Sequence, residues 1–467
     1  MKRFFILFLF LSVECFAENF SQTVLPGYIL PTNKQGIADR NYNLLNETRY
    51  KVFEKELNFG IQKYNFFWRD AEDKVFSSRE PLKCPVGYSL FPQSKKVKQL
   101  LGTKKYHCYK DIFVNKWEKR FKKNTKHHIQ QALVLWTAPN MYVDSGCEGF
   151  YFKLQKRHLI SGCYPMPEYY DDYEDWIRFT AYRFGKYIDH YIVWNEIDST
   201  NWADTSTIKY SKEAMKKDLK FHMNRSFNIY TTILKKTIKI IDDIDKKCMG
   251  FNEECKNFIY VSLTRDWYSR VPKAHQNKKT GAIHIRWRNM NLLDHIWREL
   301  GLNYNWSIAV HPYGDVYEKS TNSLRFSTLD ELSNYQKTQI DFHKSKKRSW
   351  LSYPQSRLFA SEQNTGHKIE AENWKRKAKY ICESYDVAQR MPEIIAITHN
   401  HFQDNIHHKN PKPTKHTMLP SSVKTDLSDA YRYETFQAYQ STALHRWGKK
   451  NEHYCCKQYK LGCAVEK

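Results

Sequence analysis

Seven short apolar runs, each followed by a longer stretch, set the tightest limit on how this chain can fold. The runs are "GIQKYNFFW" (60–68), "IQQALVLWT" (129–137), "YIDHYIVW" (187–194), "NFIYVSLT" (257–264), "WSIAV" (306–310), "SRLFAS" (356–361) and "EIIAIT" (393–398). They are β-branched or aromatic and nearly continuous in apolar residues, as strands are when both faces are buried. Amphipathic helical patterns fall between them at 173–186, 213–244, 291–301, 329–344 and 370–391. Strand and helix in alternation require parallel strands joined by crossover helices. "VLPGYIL" (24–30) offers an eighth run, and eight such units predict a (β/α)8 TIM barrel. A doubly wound open sheet fits the same alternation, but no GxGxxG or Walker loop is present to give it a nucleotide site.

The segment before the first run reads as an address. "MKRFFILFLFLSVECFA" (1–17) has a basic start, an apolar stretch too short to cross a bilayer, and small residues near Ala17. We read 1–17 as a signal peptide, 18–447 as the barrel, and 448–467 as a Cys-rich tail after a last helix at about 428–446. The expected destination is outside the cell or in a lumen, with no transmembrane segment. Removing Cys15 leaves ten cysteines, an even number that favours disulfides in an oxidising compartment. Cys147 with Cys163 and Cys248 with Cys255 would each close a short polar loop, and the tail is expected to be pinned by a disulfide. Zinc competes for such residues, but neither CxxC…CxxC nor HExxH spacing occurs. Sequons stand at Asn19, Asn46, Asn224 and Asn305. Long βα loops are expected at 70–125, 138–172 and 265–290.

Losing Lys2, Arg3 and Glu14 with the leader changes 75 basic and 50 acidic residues into 73 and 49, a net charge of +24. Such an excess draws anionic partners. It clusters in "KWEKRFKKNTK" (116–126) and "HKSKKRSW" (343–350), which suit an acidic polysaccharide, a phospholipid surface or nucleic acid, or are simply solvated faces. Nucleic acid suits a secreted, disulfide-containing chain poorly, and no reading motif is present.

In a TIM barrel the chemistry sits at the C-terminal ends of the strands. There the chain reads "APN" (138–140), "NEID" (195–198), "RDW" (265–267), "HPYGD" (311–315), "EQN" (362–364) and "HNHFQD" (399–404). Glu196 and Glu362 hold equivalent places three strands apart. Two carboxylates about 5 to 5.5 Å apart across one barrel mouth are what retaining glycoside hydrolysis needs: one protonates the leaving oxygen and the other attacks the anomeric carbon. Trp68, Trp136, Trp194, Trp202 and Trp267 lie at or just past strand ends, where indole faces stack on sugar rings or pack the core. His399, His401, His407 and His408 suit sugar hydroxyls better than a metal. No GxSxG elbow supports a serine nucleophile. The chemistry calls for no cofactor and no metal.

The order of Asn195 and Glu196 after a fourth strand, "HPYG" after a sixth and Glu362 after a seventh resembles glycoside hydrolase clan A, the retaining (β/α)8 enzymes, across residues 55–402. The "HNHF" ending is similar to a little-characterised glycosidase-like group within that clan. The resemblance implies that Glu196 is the general acid/base and Glu362 the nucleophile, and that Asn195 binds the sugar 2-hydroxyl. It also implies that His311 and Tyr313 lie beside Glu362, with the Tyr hydroxyl orienting the carboxylate. Two departures stand out. Asn65 falls where many members carry an Arg, with Arg69 four residues on, and His399 and His401 replace the usual aromatic platform after strand eight. The expectation is a secreted retaining glycosidase acting on a glycan, an acidic one by charge; the alternative is a catalytically inactive glycan-binding barrel. Oligomeric state is left open.

Overall fold

The computed structural model describes residues 33–38, 47–72, 76–143, 162–198, 212–247, 257–263, 273–276, 283–286, 289–312, 329–346, 356–363, 374–400, 430–443 and 446–464. Eight parallel strands close into a barrel: Gln35–Ala38, Ile61–Phe67, Gln130–Trp136, His190–Val193, Phe258–Leu263, Ser307–Val310, Leu358–Gln363 and Ile394–Asn400. Each pairs with its sequence neighbour, and the first closes on the eighth. Seven of these strands coincide with the apolar runs to within a few residues.

The remaining strand corrects the sequence reading. Residues 24–30 lie outside the described part, and the barrel's first strand is the four-residue "QGIA" of Gln35–Ala38. It lacks a β-branched run, and its glycine has a steric reason. A Cβ at Gly36 would lie 2.0 Å from the Ile61 carbonyl oxygen, a backbone atom that cannot step aside. Gly36→Ala is therefore expected to destabilise the fold by about 3 kcal/mol, since overpacking a rigid interior is not relieved by a rotamer change. A chemical-denaturation midpoint equal to wild type would show that the first two strands are not this close.

Side-chain parity around the barrel follows from the register. Tyr64 and Phe66 of the second strand pack outward against Trp117, Phe121 and Trp176. Lys63, Asn65 and Phe67 take the inward phase beside Ala132, Val134 and Trp136. Continuing inward, His190 follows Ala132, Tyr260 follows Ile192, and Phe359 follows Ala309. His190 is fully buried between Phe258, Tyr260 and Phe359, with Gln130 and the Tyr260 hydroxyl on its two ring nitrogens. Burial pushes its pKa down to about 3, so this interior imidazole is neutral.

The 70–125 segment is more than a loop. It carries an antiparallel sheet of Ser77–Ser78, Tyr106–Lys110 and Tyr88–Phe91, stapled by Cys84–Cys108, and then the crossover helix Asp111–Lys126. "KWEKRFKKNTK" is the C-terminal part of that helix. It buries Trp117, Arg120, Phe121 and Asn124 on one face and turns Lys119, Lys122 and Lys126 to solvent, which hid the helix behind its charge.

The tail is pinned as expected: Cys382–Cys455 ties it to the helix Trp374–Arg390, and Cys456–Cys463 closes its end. The last helix before it is shorter than expected, Glu434–Ser441. Of the two local disulfides anticipated, Cys163 is disulfide-bonded, whereas Cys147, Cys248 and Cys255 lie outside the described residues. Disulfides of this kind form in oxidising compartments. Among the described residues no helix is long and apolar enough to cross a membrane. The Asn305 sequon is embedded in structure. Its amide donates to Asp242 and to the Asn257 carbonyl, and Trp306 and Ser307 are fully buried.

Candidate active site

Parallel strands bring all their C-terminal ends to one rim. Glu196 stands three residues beyond the fourth strand and Glu362 is the penultimate residue of the seventh, so both belong to that rim, with the fifth and sixth strands between them.

The backbone around Glu196 is unusual. Trp194 (φ +65°) and Glu196 (φ +44°) both adopt the left-handed conformation, which costs a non-glycine residue on the order of 1 kcal/mol or more and persists only where neighbours over-determine it. They do here. Trp194 N–H donates to the Leu135 carbonyl at 2.9 Å, and its indole N–H to the Gly162 carbonyl at 3.0 Å. Glu196 N–H donates to the Ser262 hydroxyl at 3.2 Å, and Ile197 N–H to the Ser262 carbonyl at 3.1 Å. One residue of the fifth strand thus holds the "NEID" turn twice. Ser262 was missed in the sequence, although a small hydroxyl at the C-terminal end of an apolar strand was a usable signal.

His311, the first residue after the sixth strand, donates its backbone N–H to the Leu263 carbonyl at 3.1 Å. Its ring Nδ1 lies 2.8 Å from Glu196 Oε1, with the imidazole fully buried and the carboxyl 14% exposed. A carboxylate there requires Nδ1 to carry the proton and donate. The sequence reading puts His311 beside Glu362, whose side chain lies outside the described ones; the described partner of His311 is Glu196. Asn195 is buried, and its Oδ1 has no hydrogen-bond partner among the described residues. A buried acceptor next to Glu196 that lacks a donor is suited to a ligand hydroxyl.

On the seventh strand the register slips. Ala360 pairs with Ile397 and Gln363 with His399, so positions 361 and 362 together oppose Thr398. Bulges commonly redirect a strand end next to active sites.

Two expected sugar contacts, and one indole read as either contact or core, are placed elsewhere. Trp68 is fully buried, stacked on Tyr142 and Trp176, with its N–H given to Glu72, so it is a core residue. Trp194 is likewise enclosed, against Tyr164 at 4.6 Å. His399 shares the outward phase with Ile37 and meets the Tyr439 ring of the C-terminal helix, so alternation turns it away from the mouth. Trp136 takes the inward phase, packs against Phe67 and is 2% exposed. Arg69 remains half-exposed at the rim, its N–H bonded to the Thr137 carbonyl. Tyr313, Trp202, Trp267, His401, His407 and His408 lie outside the described residues. Among the described residues no group of His, Cys, Asp and Glu is arranged to hold a metal.

No family model matches this chain, and no curated protein matches it. Its neighbours among solved structures include glycoside hydrolases. A family 39 enzyme from Xanthomonas axonopodis pv. citri is 14% identical with a TM-score of 0.48, covering 89% of this chain and 67% of its own. A family 39 glycoside hydrolase from Bacteroides cellulosilyticus WH2 is 13% identical with a TM-score of 0.47, covering 88% and 64%. The β-glycosidase of Thermosphaera aggregans is 11% identical with a TM-score of 0.49, covering 87% and 85%. The barrel itself rests on the chain's own eight strand pairings.

The His311 contact carries a prediction. A hydrogen bond to a charged group is worth about 1.5–3 kcal/mol, so if Glu196 serves as a general acid on a glycoside, His311→Ala is expected to slow turnover of a poor-leaving-group substrate about 10- to 100-fold. Steady-state kinetics against a graded series of aryl leaving groups checks it; a loss identical across the series would mean that His311 does not serve Glu196.

Proposed function

We propose that this chain is a secreted or lumenal retaining glycoside hydrolase in which Glu196 is the general acid/base and Glu362 the nucleophile. The observation that carries the reading is the joint placement of these residues at one barrel rim, each at a locally irregular backbone, with His311 hydrogen-bonded to Glu196. In the first step the Glu196 carboxyl protonates the departing oxygen while Glu362 attacks the anomeric carbon. In the second, Glu196 takes a proton from water, which displaces Glu362. Asn195 Oδ1 accepts the sugar 2-hydroxyl, a bond that strengthens as the ring flattens toward an oxocarbenium ion.

The substrate is a glycan, and the net positive charge favours one bearing carboxylates or sulfates. Screening the secreted protein against aryl glycosides and natural polysaccharides, with the anomer of the first-formed product followed by NMR, tests the proposal. Retention supports it and inversion overturns it.

The second reading is a glycan-binding barrel without catalysis. It is favoured by Asn65 at the strand-two end and by the outward turn of His399, which removes an expected sugar contact. Sugar binding with no hydrolysis across the whole panel would select it.

A further inference from the structure

The excursion after the second strand ends in a rigid, exposed apolar tip. A turn closed by the Tyr88 N–H to the Pro85 carbonyl, 3.1 Å, places Val86 and Gly87 at its corner, and Gly87 supplies the left-handed φ of +84°. Cys84–Cys108 braces it from behind. The Asp111 N–H donates to the Gly87 carbonyl at 2.8 Å, which brings the start of the helix Asp111–Lys126 against the turn. Val86 is thereby fully exposed next to Ile112, itself 77% exposed.

From Ile112 the solvent-facing stripe of the helix continues through Asn115, Lys119, Lys122 and Lys126, a length of roughly 21 Å at 1.5 Å per residue. Lys116 and Lys123 flank the stripe, and Lys83 is exposed beside the turn. Glu118 pairs with Lys122 and Arg183, Glu47 with Lys123, and Asp111 with the Ser89 hydroxyl, so these lysines outnumber the acids beside them and Lys119 and Lys126 present the exposed charge.

We infer that the Val86–Gly87 turn and the lysine stripe of the helix Asp111–Lys126 form a docking surface for an anionic phospholipid membrane. Val86 and Ile112 enter the interface, and the lysines meet the headgroups. Charge complementarity supplies the attraction, and two apolar side chains held at a braced tip supply the insertion. An acidic polysaccharide would use the same lysines but gains nothing from Val86 and Ile112. The surface is independent of Glu196 and Glu362, so its failure leaves the proposed catalysis standing.

Sedimentation of the full chain with vesicles of phosphatidylcholine alone, and of phosphatidylcholine mixed with phosphatidylserine, provides the test. The expected result is binding to the mixed vesicles only, weakening with salt over the range in which the Debye length shrinks below about 10 Å. The double variant Val86→Asp/Ile112→Asp should bind at least about tenfold more weakly, and Lys119→Glu should also weaken binding. All three side chains are exposed, so an unchanged thermal midpoint and circular dichroism spectrum should confirm that the variants fold. Absence of binding to mixed vesicles overturns the inference, as does binding that the double variant leaves unchanged. Retention on a heparin-type resin equal for wild type and double variant, without vesicle binding, overturns it in favour of an acidic polysaccharide.

Discussion

Under the retaining mechanism we propose, Glu362→Gln is expected to lower glycoside turnover by at least about 10⁴-fold while leaving the fold intact. An amide is nearly the same size as the carboxylate but cannot form the covalent glycosyl intermediate, so no choice of leaving group restores the step. Glu196→Gln should behave differently. With a poor leaving group, loss of the acid is expected to reduce kcat/KM by about 10²- to 10⁴-fold. With a dinitrophenyl glycoside, which departs without help, kcat/KM should stay near wild type while kcat falls, because deglycosylation still needs the base. A small anionic nucleophile such as azide should then relieve kcat. Pre-steady-state and steady-state measurements on both variants separate the roles; equal losses on all substrates at both positions would remove the assignment, and full activity in Glu362→Gln would refute the nucleophile.

The second large effect lies away from the rim. His107, on the middle strand of the excursion, is fully buried among three carboxyl groups: Glu72 at 3.3 Å, Asp175 at 3.5 Å and Asp172 at 4.0 Å. Asp175 also accepts the backbone N–H groups of Lys104 and Lys105, Asp172 accepts Lys105 Nζ at 2.7 Å, and Tyr142 and Trp68 donate to Glu72. Tyr109 stacks beside the imidazole. The cluster joins the excursion to the helix Tyr170–Phe184. Burial pulls the His107 pKa down, but Asp175 and Glu72 overcome it and hold it at about 9.

A folded pKa raised above the unfolded value near 6.5 contributes stability fully below pH 6.5 and loses it as pH rises through about 9. His107→Gln strands buried carboxylates and is expected to destabilise the protein by about 3–5 kcal/mol at pH 6. The gap between variant and wild type should narrow toward pH 9. Taking that difference removes the contributions of Asp242 and Asp245, raised by burial to about 6 and about 7, and of Lys34, lowered by burial to about 8. Urea titrations at several pH values check it; a gap constant from pH 6 to 9 would mean that His107 is not charged in the folded state.

The amino-acid order alone determined the barrel, because seven doubly buried strands must be written as continuous apolar runs and their crossover helices as amphipathic ones. It also determined which residues reach the rim at 195, 196, 311 and 362, since a strand's end is a matter of chain position. Three things were decided only by tertiary structure. "QGIA" became a strand because Gly36 fits against the Ile61 carbonyl, a contact no local propensity encodes. Facing depended on register, which turned His399 outward, and the seventh strand's register shifts by a bulge just before its end. Pairing depended on neighbours distant in sequence: His311 on Glu196, and His107 on Glu72 and Asp175. Apolar periodicity is local and survives in one dimension. Side-chain parity and charge pairing arise only when strands separated by dozens of residues are laid side by side.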